Sequence, residues 1–202
     1  MKRFISTFLS LCFIVLPIFS EEIGDEYDDG YVYESNGKGD QFLKFDFAGI
    51  FPLGFKGTDS KTGAVTKQLQ NGASFDLGYY RFLNKWFALG GEVTFTSNWS
   101  IGEKLLVTIP ITSGVLFQPS AGNFEFPIYL NLGIGYESWA NTKYFPSLAA
   151  KGSTGVYYRI TEAWSAGASA SFLWIPQWFK DNPEYNYNAK FIIASIGGRF
   201  HF

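Results

Sequence analysis

Apolar and polar residues alternate with a period of two in eight segments of this chain. Successive side chains of a β-strand point to opposite faces, so this period predicts strands and not helices. The predicted strands are 42–54, 73–82, 86–97, 104–117, 123–138, 147–160, 164–175 and 189–202. The 147–160 and 164–175 segments alternate less regularly, and their register stays open, although Trp164, Ala168 and Phe172 resemble an apolar face in the latter.

The two faces of these strands differ in size as well as in polarity. In the last strand, Ile192, Ile196 and Phe200 share one face, whereas Ser195 and Arg199 share the other. An eight-stranded barrel has an interior just wide enough for side chains, so small and polar residues fit inside it and bulky apolar residues face outwards. An apolar outer surface requires lipid. The pattern therefore predicts an all-β fold, an eight-stranded antiparallel transmembrane β-barrel.

The connections between the predicted strands are of two kinds. Three are short: 83–85, 119–123 and 161–163. Four are longer and polar: 56–71, 98–103, 139–144 and 177–186. Short turns at one end and longer loops at the other are typical of bacterial barrels with short periplasmic turns and longer extracellular loops.

The beginning of the chain predicts export. Lys2 and Arg3 precede a short apolar stretch that ends at Ser20 and is followed by acidic residues, which is the layout of a secretory signal peptide over 1–20. The alternative, a membrane anchor, would need a longer apolar run. Residues 21–40 hold eight of the eighteen acidic residues and one basic residue, so they predict a poorly ordered acidic leader before a barrel over 41–202.

Composition adds three constraints. Aromatic residues make up 20% of the chain, which favours β-structure. Cys12 is the only cysteine and lies within the predicted signal peptide, which excludes a disulfide framework and a cysteine metal site from the mature chain. We expect no metal, no cofactor and no nucleic-acid partner.

Charged residues at inward positions predict a polar network that lines the lumen. They are Lys44, Asp46, Asp76, Glu92 and Arg199. Because the first and last strands must pair to close the barrel, we expect Asp46 and Arg199 to form a pair, directly or through water. The network either plugs the lumen or borders a solute path, and we favour the plug.

A short motif occurs twice, 78 residues apart. Tyr79-Tyr80-Arg81 precedes Trp86 as Tyr157-Tyr158-Arg159 precedes Trp164, and each copy flanks a short turn. Tyrosine and tryptophan are enriched where a membrane meets water. The motif predicts an interfacial belt with arginine at headgroup level, formed by Tyr79, Tyr80, Trp86, Tyr157, Tyr158 and Trp164.

Two prolines conflict with a closed barrel. Pro110 and Pro127 fall on inward positions of predicted strands, where a proline cannot donate a hydrogen bond and no edge strand exists to accommodate it. We expect bulges at both positions, or a water molecule in place of the lost bond.

The final strand resembles the C-terminal signal by which the barrel assembly machinery recognises outer-membrane proteins. The resemblance implies that the machinery reads Ile196, Phe200 and Phe202, whereas Gly198 departs from the pattern, in which a bulky residue is commoner.

The chain from about residue 41 also resembles the small eight-stranded barrels of the OmpW, OmpX and OmpA-domain type. The stretches IPITSGVLF, PIYLNLGIGY and GVYYRITEAWSAG carry the likeness. The resemblance implies insertion into the outer membrane of a Gram-negative bacterium, and an OmpW-like member would pass small hydrophobic compounds.

We therefore expect a porin-like protein or a passage for a small hydrophobic solute. The alternative is a surface adhesin or a structural membrane protein that acts through its loops, where Trp178, Phe179 and Tyr185 could contact a host ligand. The expected partners are outer-membrane lipids, the barrel assembly machinery and such a solute or host ligand. We expect no enzyme, because the single histidine, His201, has no serine and acid placed to form a relay with it.

Overall fold

The structure is a computed structural model, and it describes residues 36–57, 69–100, 103–139, 142–177 and 187–202. The predicted signal peptide, residues 21–35 of the predicted leader, and Trp178, Phe179 and Tyr185 lie outside the described residues. Among the residues that the structure describes, none lies in a helix long and apolar enough to cross a membrane.

Eight long strands and one short hairpin make up the fold. They are β1 (Gln41–Gly57), β2 (Gly72–Phe82), β3 (Phe87–Trp99), β4 (Leu105–Phe117), β5 (Ser120–Ala121), β6 (Phe124–Glu125), β7 (Ile128–Trp139), β8 (Thr142–Arg159), β9 (Trp164–Gln177) and β10 (Tyr187–His201). Strands β5 and β6 have two residues each and lie in the connection between β4 and β7.

The long strands form a closed antiparallel barrel. Neighbours pair in the order β1, β2, β3, β4, β7, β8, β9 and β10, and β10 pairs with β1. Every strand therefore has a partner on both sides, which removes the exposed edges of an open sheet. The predicted eight-stranded antiparallel transmembrane barrel is confirmed.

The alternation predicts the two faces of the wall correctly, but the expectation that small and polar residues fill the inside is wrong, since Arg199 and Tyr80 are among the largest fully buried side chains. On β7, Leu130, Leu132 and Ile134 point outwards and are exposed, whereas Tyr129 and Asn131 are buried inside. A soluble protein rarely exposes an apolar surface of this kind, but lipid solvates it.

The structure gives the register of the small-residue segment, which the sequence left open. On β9, Ala166, Ala168 and Ala170 face outwards, and Ser165 and Ser169 are buried inside.

One predicted loop is wrong. Strand β7 ends at Trp139 and β8 begins at Thr142, so the connection is much shorter than 139–144. The ladder includes the polar pairs Glu137↔Tyr144 and Ser138↔Lys143, so Lys143 and Tyr144 belong to a strand and not to the predicted loop. Polar residues are tolerated where strands pass beyond the apolar band, so polarity alone did not indicate the end of the strand.

The expected bulges at Pro110 and Pro127 are also wrong. The register of β3 and β4 is the same on both sides of Pro110, with Val93↔Ile111 and Thr96↔Thr108, and the ladder only lacks the pairs between them. Pro127 lies between β6 and β7, which pair with β8 in one continuous register. At these prolines the sheet lacks backbone hydrogen bonds, but neither strand contains the extra residue of a bulge.

Candidate functional site in the barrel lumen

Five charged side chains meet at the middle of the lumen, and we call them the central network. The Lys44 Nζ atom lies 3.2 Å from Asp46 Oδ2 and 3.0 Å from Glu92 Oε1. The Lys151 Nζ atom lies 2.8 Å from Asp76 Oδ1 and 2.8 Å from Glu92 Oε2. Glu92 therefore bridges the two lysines, and each lysine also forms an ion pair with one aspartate.

The strand register explains why this network needs two lysines. Asp46 of β1 lies directly opposite Asp76 of β2, and like charges in such a pair repel. Lys44 reaches Glu92 across Gly78, which lies between them in the register. A Cβ atom at Gly78 would lie 3.2 Å from Glu92 Cγ and 3.4 Å from Lys44 Cβ, so a larger residue would narrow the space that this contact uses.

A second group of charges lies nearer the end of the barrel that carries the short turns, and we call it the short-turn network. It consists of Glu125, Arg159 and Arg199. The Glu125 carboxylate lies 3.4 Å from Arg159 Nε and 3.1 Å from Arg199 Nη1. Arg199 also donates to Gln118 Oε1 at 2.9 Å. Glu125 lies on β6 of the short hairpin, and its buried side chain points into the lumen, where it meets the two arginines.

Tyr157 connects the two networks. Its hydroxyl lies 3.1 Å from both carboxylate oxygens of Asp46, and its ring centroid lies 3.5 Å from Arg199 Cζ. The predicted direct pair of Asp46 and Arg199 is therefore wrong. Asp46 contacts Lys44, Tyr157 and Ser169, whereas Arg199 forms an ion pair with Glu125.

The two networks balance in charge. The central network has two lysines and three carboxylates, a net charge of −1, and the short-turn network has two arginines and one carboxylate, a net charge of +1. Apart from Arg159, whose exposed fraction is 5%, each of the eight side chains is at most 2% exposed. Burial of a charge is costly unless it is paired, so pairing of all eight makes their burial tolerable.

Apolar side chains fill the lumen on both sides of the charges. At the short-turn end they are Phe42, Tyr80, Phe82, Ala88, Leu116 and Tyr129. Towards the loop end they are Ile50, Leu106, Leu173, Ile175, Ala189, Phe191 and Ile193, with Ala48, Leu69 and Trp139 packed against them. The central network thus lies between an aromatic layer, which also contacts Arg199, and an aliphatic layer.

Our sequence reasoning missed three members of the networks. Glu125 and Lys151 stand at inward positions of predicted strands, so the alternation could have identified them. Arg159 was assigned to the headgroup region, but its side chain is buried and also donates to Asn36 Oδ1 at 2.9 Å.

The single histidine has a serine neighbour that we did not expect. His201 Nε2 lies 3.0 Å from Ser165 Oγ. Both side chains are buried, and in the described ranges no carboxylate forms an ion pair with His201. A cleft of about 310 Å³ at the short-turn end borders His201 but not Ser165. The serine is therefore a buried hydrogen-bond partner of the imidazole.

No metal site is evident in the part of the chain that the structure describes. Groups of three or more histidine, cysteine, aspartate or glutamate side chains placed to hold an ion are absent from it.

A protein-family model matches residues 23–200. The chain belongs to that family. An uncharacterized protein of Treponema pallidum (strain Nichols) is 29% identical over 178 residues, which cover 84% of this chain and 80% of that protein. A second uncharacterized protein of the same strain is 24% identical over 165 residues, which cover 72% of this chain and 56% of that protein.

Three solved structures have a similar fold. Neisserial surface protein A has a TM-score of 0.63 at 14% identity, with 82% of this chain and 100% of that chain covered. OprG of Pseudomonas aeruginosa has a TM-score of 0.53 at 13% identity, covering 83% and 98%. Ail, the attachment invasion locus protein of Yersinia pestis, has a TM-score of 0.50 at 15% identity, covering 82% and 99%. The chain has the fold of the small eight-stranded outer-membrane β-barrels.

The predicted interfacial belt of this barrel is wrong for two of its six members. Tyr80 and Tyr157 are 0% exposed and point into the lumen. Neighbouring residues of a strand face opposite sides, so two consecutive tyrosines cannot both belong to an outer belt. The four outward members are half-exposed near the short-turn end: Tyr79, Trp86, Tyr158 and Trp164.

The residues of the predicted assembly signal lie on the outer face of β10 and just beyond it. Ile196 and Phe202 are exposed, and the ring of Phe200 lies between those of Trp164 and Phe202, at centroid distances of 5.1 and 5.9 Å. Recognition of these residues by the barrel assembly machinery stays a prediction.

Proposed function

We propose that this protein resides in a bacterial outer membrane as a closed, non-conducting barrel. In this proposal its activity lies at the loop end, where it serves as an adhesin or as a structural membrane protein. The barrel positions the loops, and the lumen contributes stability instead of a path for solutes.

The observation that carries the proposal is the burial of the lumenal charges. Lys44, Asp46 and Asp76 are each fully buried, although they lie in the middle of the barrel. A water-filled channel would leave at least one side of such groups in contact with solvent. Every charge in both networks is paired, so these eight side chains offer no free ionic group to a solute.

The aliphatic layer is a second argument against axial passage of polar solutes. It occupies the lumen between the central network and the loop end. A polar solute would have to separate ion pairs in one layer and enter a dry apolar layer in the other, and both steps are costly.

The proposed location rests on two observations. One is the shared fold with outer-membrane barrels, and the other is the predicted signal peptide. The role at the loop end has a precedent on this fold in a protein named for attachment and invasion, but a likeness at 15% identity supports the fold alone.

Conductance tests the closed lumen. We expect the purified barrel to give no stepwise current in planar bilayers and no swelling of liposomes in sugar solution. Deletion of residues 58–68 or 178–186 should leave conductance near zero. Stable stepwise conductance of the wild-type barrel would contradict the proposal.

Cell binding tests the role of the loops. Proteoliposomes that carry the wild-type barrel should bind host cells better than those that carry either loop deletion. Equal binding by all three would argue against an adhesin and leave a structural role.

The aliphatic layer also favours a second candidate, a binding site for a small hydrophobic solute at the loop end. Ile175, Leu173 and Phe191 would form its floor. A fluorescent alkyl probe should then bind the wild-type barrel, and Ile175→Ala should weaken that binding. The matched control is Leu132→Ala, which removes a similar side chain from the outer face. Equal binding by both variants would indicate that the probe binds the outer surface.

A further inference from the structure

The outer surface of the β2–β3 hairpin carries an arginine without an acidic neighbour. Arg81 lies one residue before the end of β2, and its side chain is exposed on the outer face. In the register it pairs with Gln41 of β1 and Leu89 of β3. Its neighbours along the same face are Tyr79 and Leu83. None of these four residues can neutralise a guanidinium.

A lysine on the same hairpin adds a second positive charge. Lys85 lies at the tip of the turn, which is fixed because Asn84 Oδ1 accepts from the backbone amides of Trp86 and Phe87, at 2.9 Å each. The Lys85 Nζ atom lies 4.7 Å from the centroid of the Trp86 ring. This contact holds the ammonium group against the outer surface next to the half-exposed tryptophan.

Neither cation has a carboxylate partner in the part of the chain that the structure describes. The acid that precedes β1, Asp40, instead accepts a hydrogen bond from the Gly37 amide at 2.7 Å. A guanidinium stays charged under all physiological conditions, so Arg81 is available to an anion that does not belong to the described residues.

The surroundings of this pair indicate where the anion comes from. Tyr79, Trp86 and Phe87 are half-exposed on the same outer face, and aromatic residues of this kind mark the boundary between the hydrocarbon and the headgroups. The anion present at that height is the phosphate of a lipid. Arginine and lysine both bind phosphate, the first through several donors in a fixed plane and the second as a point charge.

The opposite side of the same barrel end differs. Arg159, which has the same place in the repeated motif, points inwards and is paired with Glu125. The exposed charged residue of the β8–β9 turn is Glu162, an acid. Positive charge without a partner is therefore concentrated on the β2–β3 sector.

We propose that Arg81 and Lys85 bind the phosphate of an anionic phospholipid in the leaflet at the short-turn end. Two cations without an acid favour a lipid with a net negative charge, because a zwitterionic lipid brings an ammonium group of its own to the same surface. The lipid is held on one sector of the barrel, next to Trp86.

Native mass spectrometry of the barrel, released from mixed micelles of phosphatidylglycerol and phosphatidylcholine, tests this site. We expect the wild-type barrel to retain phosphatidylglycerol in preference to phosphatidylcholine. Arg81→Gln and Lys85→Gln should each reduce that preference roughly fivefold, the effect of one basic residue at an anionic membrane surface. Arg81→Lys should retain most of it. Lys143→Gln is the matched control, because it removes an exposed lysine near the loop end.

Three results would overturn the proposal. One is an unchanged preference for phosphatidylglycerol in the doubly substituted Arg81→Gln, Lys85→Gln barrel. The second is an equal loss in Lys143→Gln, which would indicate a general effect of net charge. The third is complete displacement of the lipid by inorganic phosphate at equal concentration, which would mean that the site binds a free phosphate and not a lipid.

Discussion

The two Tyr-Tyr-Arg hairpins have the same local sequence and opposite orientations. In the first, Tyr79 and Arg81 face outwards and Tyr80 points into the lumen. In the second, Tyr157 and Arg159 point into the lumen and Tyr158 faces outwards. One arginine therefore faces the lipid, and the other belongs to the short-turn network.

The difference follows from where each strand ends. Strand β2 continues one residue beyond Arg81, to Phe82, whereas β8 ends at Arg159 itself. A shift of one residue exchanges the two faces of a strand. The alternation over the whole of each strand, which places Asp76 and Lys151 inside, fixes this phase. A motif of three residues does not determine its own orientation.

The largest effect should come from Glu125 of β6, which pairs with the arginine of the second hairpin and has no counterpart beside Arg81 in the described residues. Glu125→Gln removes the carboxylate that both Arg159 and Arg199 contact, so we expect the free energy of unfolding to fall by about 3–5 kcal/mol. Urea unfolding in detergent, followed by the shift between folded and unfolded gel bands, measures it. Glu162→Gln is the matched control and should have little effect because Glu162 is exposed. Equal effects of the two substitutions would contradict the short-turn network.

The two arginines themselves should differ next. Arg159→Ala removes a buried ion pair, but Glu125 keeps Arg199, so we expect a loss of about 3 kcal/mol or less. Arg81→Ala should leave the unfolding midpoint nearly unchanged, because Arg81 has no partner within the described chain. If Arg81→Ala destabilised the barrel as much as Arg159→Ala, the assignment of opposite faces would be wrong.

The tyrosine pair of the second hairpin gives a smaller contrast. Tyr157→Phe removes the hydroxyl that contacts both oxygens of Asp46, and we expect a loss of about 1–3 kcal/mol, as for a hydrogen bond to a buried charge. Tyr158→Phe removes an exposed hydroxyl whose contact is with Asn123 at 3.4 Å, and its effect should be close to zero. The same unfolding assay applies, and a larger loss in Tyr158→Phe would reverse the assignment.

These contrasts show what sequence could and could not determine. The alternation was sufficient for the eight strands and for the inward position of Lys44, Asp46 and Glu92, because burial in a strand has a period of two. The alternation also predicts the correct, inward orientation of Tyr80, whereas the repeated motif led us to place Tyr80 in the outer belt.

The ion pairs could not be derived in this way. Lys151 of β8 forms ion pairs with Asp76 of β2 and Glu92 of β3 across the lumen, and β8 is a neighbour of neither strand in the wall. Such contacts depend on how the closed barrel brings opposite walls together. Arg199 could not be paired correctly either, because its partner Glu125 comes from a short hairpin that the strand pattern had merged into one long strand.

The closed lumen is the central claim of this account, and the reactivity of a buried thiol tests it most directly. The Ser171 side chain of β9 is buried in the lumen and has no hydrogen-bond partner among the described residues, so Ser171→Cys changes the lumen little. Ser120→Cys, at an exposed turn, is the matched control. In folded mature barrels, which lack the predicted signal peptide and its Cys12, a charged water-soluble thiol reagent should label Ser120→Cys rapidly and Ser171→Cys only after unfolding. Labelling of both at similar rates in the folded barrel would show that water fills the lumen and would contradict the account.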